Sequence, residues 1–243
     1  MLRPGPAALF GLLSLGCATT TTVPQVAEAA PTPGAAAPGS EGPGGPRPAP
    51  SEARALPASG RDLADVALEA SGLDGEARQA AREELDTRLL PLTTELLRLP
   101  DPDARARALL TRLHQDWLRR YDARATSLVE LLEDGRFNCL SSAVLYNIVA
   151  ERLGLVVTGE LLPTHARSIV VLRSGARAVV EATSPHGFDP DVRTQAQILA
   201  QVATPAEPGQ RAIVADTGAR VPSVVLAGTI YVNRASLALQ LPE

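Results

Sequence analysis

Three residues have the types and the order that acyl transfer needs. Cys139 offers a thiol, His165 an imidazole 26 residues later, and Glu181 a carboxylate 16 residues beyond that. A thiolate attacks an acyl carbon, an imidazole takes up and returns the proton, and a carboxylate orients the imidazole. The positions around them suit those roles. Asn138 can cap a helix running from Cys139 to Leu153 and stopped by Gly154. Backbone N–H groups and the helix dipole at such an N-terminus favour a thiolate and can hold an oxyanion. His165 opens a stretch of period two, 165–172, and Glu181 lies on the next, 177–183, with Ser174-Gly175 as the turn signal between them.

This pairing makes a demand on register. A two-residue turn at Ser174-Gly175 would send His165 and Glu181 to opposite faces. A three-residue turn, Arg173 to Gly175, pairs Leu172 with Ala176 and sets His165 opposite Thr183. Glu181 is then its diagonal neighbour on one face, roughly 7–8 Å away at the backbone and within reach of a long side chain. Such hairpins favour Gly at the last turn position, where the backbone is left-handed, and Gly175 stands there. His186 and Asp189 are the competing base and acid, in a Pro- and Gly-containing loop. Asn138 reads as a cap, with a contact to the oxyanion as the alternative. His114 and Asp116 read as a packing or surface pair on an amphipathic helix.

The run Phe137-Asn138-Cys139-Leu140-Ser141-Ser142-Ala143, continued to Arg152-Leu153-Gly154-Leu155, resembles the cysteine helix of the transglutaminase-like superfamily. Leu162-Pro163-Thr164-His165 resembles the strand that brings in that family's histidine. Val179-Val180-Glu181-Ala182-Thr183 is similar to its Val-x-Asp-x-Thr strand. The likeness covers roughly residues 125–190. It implies a papain-like α+β fold and Cys139, His165 and Glu181 as a catalytic triad acting on a peptide or protein amide. It favours a peptidase or amidase over a cross-linking enzyme. Two positions depart from the pattern. Glu181 stands where Asp is usual, and Ala166-Arg167 follow the histidine where many members carry an aromatic residue. The segment Ile230 to Ala235 is similar to a helix that leads into tetratricopeptide repeats in some relatives. The alternative reading is a non-catalytic lipoprotein that binds peptide or a partner protein in the same cleft. A purely structural lipoprotein is the third.

Composition narrows the field. The net charge of −4 and pI near 5.5 argue against a nucleic-acid partner. All 23 basic residues are Arg. Two cysteines, Cys17 and Cys139, are too few for a disulfide framework, and no Cys/His spacing suits a metal. No cofactor is expected.

The first sixteen residues read as a signal peptide: Arg3, a short apolar run from Ala7 to Leu15, then Cys17. Leu13-Ser14-Leu15-Gly16-Cys17 resembles a bacterial lipobox, although Ser14 occupies the usual Leu position. The resemblance implies a lipid on Cys17 and a membrane anchor. Ala18 in place of Asp favours the periplasmic side of the outer membrane. Residues 17–57 are rich in Ala, Pro and Gly and read as a disordered tether.

From residue 58 a single α+β, transglutaminase-like domain is expected. It comprises a helical part 58–134, a catalytic core 135–190 and C-terminal helices 191–243. Helices are read from Asp62 to an interruption at Gly72 and Gly75, over 78–90 (ended by Pro91), 92–97, from Pro102 to about Trp117, at 127–132, 192–202 and 224–239. Strands are read over 155–162, 165–172, 177–183 and 212–215. Helices first and an antiparallel sheet after is the α+β order. Oligomeric state is not legible.

Overall fold

The periodicities of the sequence become seven helices and a small antiparallel sheet in the computed structural model, which describes residues 61–202 and 218–240. The mixed α+β class is therefore as read. The signal peptide, Cys17, the tether and the expected strand 212–215 lie outside the described residues. All described residues belong to one compact unit, Arg54–Glu243.

Helix α1 (Leu63–Ala70) is capped by Asp62, whose carboxylate accepts from the Ala64 N–H at 2.8 Å. Helix α2 spans Gly75–Leu96 without a break, which corrects the expected stop at Pro91. Pro91 is exposed, so its ring meets solvent, while Leu85, Leu89, Leu92 and Leu96 continue one buried stripe through it. The packing of that stripe outweighs the backbone hydrogen bond that proline forfeits. Helix α3 (Pro102–Asp116) follows, then the two-residue strand β1 (Arg120–Tyr121). Helix α4 (Leu128–Asp134) ends at Gly135 in the left-handed region, and β2 (Arg136–Phe137) then pairs in parallel with β1. This short pairing lacks an alternating pattern and was not legible in the sequence.

Helix α5 (Cys139–Arg152) is the buried centre of the unit. Eleven of its side chains are buried, as its nearly all-round apolar surface requires. Strands β3 (Val157–Leu162), β4 (His165–Val171) and β5 (Arg177–Val180) form a meander. After α6 (Val192–Val202), strand β6 (Ala219–Val221) adds to β3, and α7 (Ser223–Gln240) closes the described chain. The sheet order is β5-β4-β3-β6, all antiparallel.

Two faces of this sheet differ in chemistry. Ser168 donates to the Ala143 carbonyl at 3.3 Å, so α5 lies on the face of Ala166, Ser168 and Val170. On the same face α7 closes against β3 at Gly159, where a Cβ would lie 2.9 Å from Leu226. Glu160, His165 and Arg167 alternate with these residues along β3 and β4. Helix α3 ties down the β5 side of the sheet. Its Asp103 accepts from the Arg173 N–H at 2.8 Å in the turn, and its Arg107 guanidinium stacks 4.3 Å over Phe188.

Candidate active site

The helix start that carries Cys139 is rigidly capped. Asn138 Oδ1 accepts from the N–H groups of Leu140 at 2.9 Å and Ser141 at 3.0 Å, and Ser141 Oγ accepts in return from the Asn138 N–H. This capping box orients the first turn of α5. It also corrects one expectation. Two of the N–H groups expected to be free for an oxyanion are occupied, and Asn138 is committed to the cap. Among the described residues the Cys139 N–H itself has no acceptor. Phe137, just before the cap, is held edge-on by two rings: Tyr121 at 5.9 Å between centroids and His114 at 6.0 Å. Cys139 is partly exposed, as a thiol that meets a substrate must be.

The β4–β5 hairpin has the register that the pairing of base and acid requires. Val171 pairs with Arg177 and Ser168 with Val180. The Leu172 N–H donates to Ala176 and the Gly175 N–H to Leu172, closing a three-residue turn with Gly175 at φ 83°. Continued past Val180, this register sets Thr183 opposite His165 and Glu181 opposite Arg167. The backbone leaves the ladder there: the Glu181 N–H turns to the Gly187 carbonyl at 2.8 Å, so β5 is shorter than the expected 177–183. The side chain still reaches across. His165 Nε2 and Glu181 Oε2 are 2.6 Å apart, and both residues are buried.

Glu181 has no solvent exposure and three neighbours share its charge. Oε2 faces His165. Oε1 accepts from Arg167 Nη1 at 3.3 Å and from Gln195 Nε2 of α6 at 3.3 Å. Arg167 in turn donates from Nε to Glu160 Oε2 at 2.5 Å. Burial alone would lower the pKa of His165, but the nearby Cys139 thiol and the Glu181 carboxylate raise it to about 9. Both partners thus favour the protonated imidazole over the neutral one. With Nε2 on Glu181, Nδ1 is the ring nitrogen left to exchange a proton with the Cys139 thiol. Burial first, with the charges of Cys139 and Asp122 behind it, pushes Tyr121 up to about 12. Its neutral hydroxyl donates to the Val202 carbonyl at 3.3 Å.

The structure thus brings Cys139, His165 and Glu181 together. It leaves His186 and Asp189 exposed on the loop beyond β5. His114 is more than a packing residue: its Nε2 donates to the Ala182 carbonyl at 3.1 Å, next to Glu181. Arg167, Glu160, Gln195 and Tyr121 were not read as site residues. Arg167 and Glu160 carried a signal. The two-residue turn Pro163-Thr164 pairs Leu162 with His165 and hence Glu160 with Arg167. Gln195 carried none. Two surface hollows, one around Leu99 and Arg112 and one around Arg78 and Arg82, are lined by none of these residues. Among the described residues no group of acids, histidines and cysteines could hold a metal, and no helix is long and apolar enough to cross a membrane. No family model, curated protein or solved structure matches the chain.

Proposed function

We propose that this chain is a cysteine hydrolase or acyltransferase of transglutaminase-like type, acting on a peptide or protein amide from a lipid anchor at Cys17. The observation that carries the reading is the buried 2.6 Å contact between His165 Nε2 and Glu181 Oε2, on an imidazole that also faces the thiol at the start of α5. In this reading the Cys139 thiolate adds to the amide carbonyl carbon, and the Cys139 N–H donates to the oxyanion. His165 gives its proton to the leaving nitrogen as the C–N bond breaks. Water then loses a proton to His165 and attacks the thioester, and the sulfur leaves as thiolate. An amine in place of water would give transamidation by the same steps. The envelope address and the outer-membrane anchor belong to the same proposal and rest on the lipobox resemblance.

The test is the reactivity of Cys139. Iodoacetamide should alkylate the native domain at pH 6.5 at least about tenfold faster than it alkylates His165→Ala, because removing the imidazolium removes its stabilisation of the thiolate. Equal rates in the two proteins would refute a thiol–imidazole pair. Turnover of a mixed peptide library by the native domain, lost in Cys139→Ala, would establish the reaction.

A further inference from the structure

Glu160, Arg167 and Glu181 form one row across three strands of the sheet. Glu160 pairs with Arg167 in the β3–β4 register, and the β4–β5 register continued by one residue sets Glu181 opposite Arg167. The side chains follow the row: carboxylate, guanidinium, carboxylate, joined at 2.5 and 3.3 Å. Their exposures are 8 %, 6 % and 0 %. A buried guanidinium is planar and presents N–H groups on two edges, so it can bridge two carboxylates where an ammonium would favour one. Here Nε serves Glu160 and Nη1 serves Glu181.

We propose that Glu160 and Arg167 are a positioning pair that holds the Glu181 carboxylate in the plane of His165 and sets the strength of that base. This deepens the reading of Cys139 and His165 as thiol and base, and rests on it. Arg167 alone beside Glu181 would anchor the carboxylate and also draw its charge away from the imidazole. Glu160 neutralises Arg167, so the anchor remains and the charge still reaches His165. Gln195 from α6 is a third, uncharged donor to the same oxygen as Arg167. The charged and titratable groups that act directly on His165 are Cys139 from α5 and Glu181 after β5. Arg167 and, behind it, Glu160 reach His165 through the Glu181 carboxylate, and the neutral Tyr121 lies beside Cys139.

The experiment is an NMR titration of the His165 ring, readily assigned because the chain has three histidines. In Glu160→Gln the unbalanced guanidinium should lower the His165 midpoint by about one pH unit. In the double variant Glu160→Gln/Arg167→Gln both charges go together, and the midpoint should return to within about 0.3 unit of the native value. A pair with only a structural role would change thermal stability and leave the midpoint of Glu160→Gln where it was; that result overturns the proposal. A midpoint in the double variant that falls a unit or more also overturns it, and this arm decides the matter if Glu160→Gln alone does not fold. The alkylation comparison with His165→Ala separates the two questions. If that comparison fails while the midpoint moves as expected, the charge row stands and the thiol–base reading falls. If it succeeds while the midpoint is fixed, the reverse holds.

Discussion

Replacing Glu181 with Gln keeps the shape of the side chain and an oxygen for hydrogen bonding, and removes one buried charge. The magnitude follows from His165, whose pKa stands at about 9 against an ordinary 6.5. At about 1.4 kcal/mol per pH unit, this is about 3 kcal/mol of preference for imidazolium, shared between Cys139 and Glu181. Glu181→Gln should therefore lower the His165 midpoint by a unit or more. The sign of the stability effect is set by linkage. The folded value lies above the unfolded one, so the stabilisation is fully present below about pH 6.5 and is lost as pH rises through 9. Urea denaturation should show the native domain losing stability across this window and the variant changing less. The variant should be less stable by about 1–3 kcal/mol at pH 6.5, with the gap narrowing towards pH 9.5. A His165 midpoint that does not move, with a gap independent of pH, would mean that the 2.6 Å contact does not hold the imidazolium.

Three further outcomes are expected. Gly175→Ala should cost about 1–2 kcal/mol in urea, because φ is 83° there while the space beside it is open; an unchanged midpoint would refute the strained turn. Burial lowers the pKa of His114, so the unfolded chain takes up that proton first and stability drops as pH falls below about 6.5. His114→Phe should lose about 1–2 kcal/mol at pH 7.5, since the Ala182 carbonyl loses its donor, and should flatten that acid-side drop; an unchanged pH profile would contradict this. Cys17→Ser should move the protein from the membrane to the soluble fraction, and mass spectrometry of the native protein should find its N-terminus at an acylated Cys17; an N-terminus elsewhere would end the anchor proposal.

What could be read from the sequence was whatever is decided within a few residues. Asn138 caps α5 because its short side chain reaches N–H groups two and three residues ahead. Gly135 and Gly154 end helices because they accept a left-handed backbone. The turn at Arg173 to Gly175 counts its own residues, and the count sets the register that puts His165 and Glu181 on one face. Residue type and order along the chain singled out His165 and Glu181, which the fold brings into contact. Other features were decided by what packs against what. Pro91 sits inside α2 because a buried leucine stripe on distant partners outweighs one lost hydrogen bond. Strand β6 exists because β3 offers it an edge, and β1 pairs with β2 only because the folded chain lays them side by side. Asn138, by filling its cap, left Cys139 with the N–H still open at the start of α5. The Glu181 carboxylate is held by Arg167 and Gln195, with Glu160 behind Arg167, and these come from three different elements. Local propensity acts through neighbours in sequence, whereas a buried charge feels every group within several ångströms, and only the assembled fold determines which groups those are.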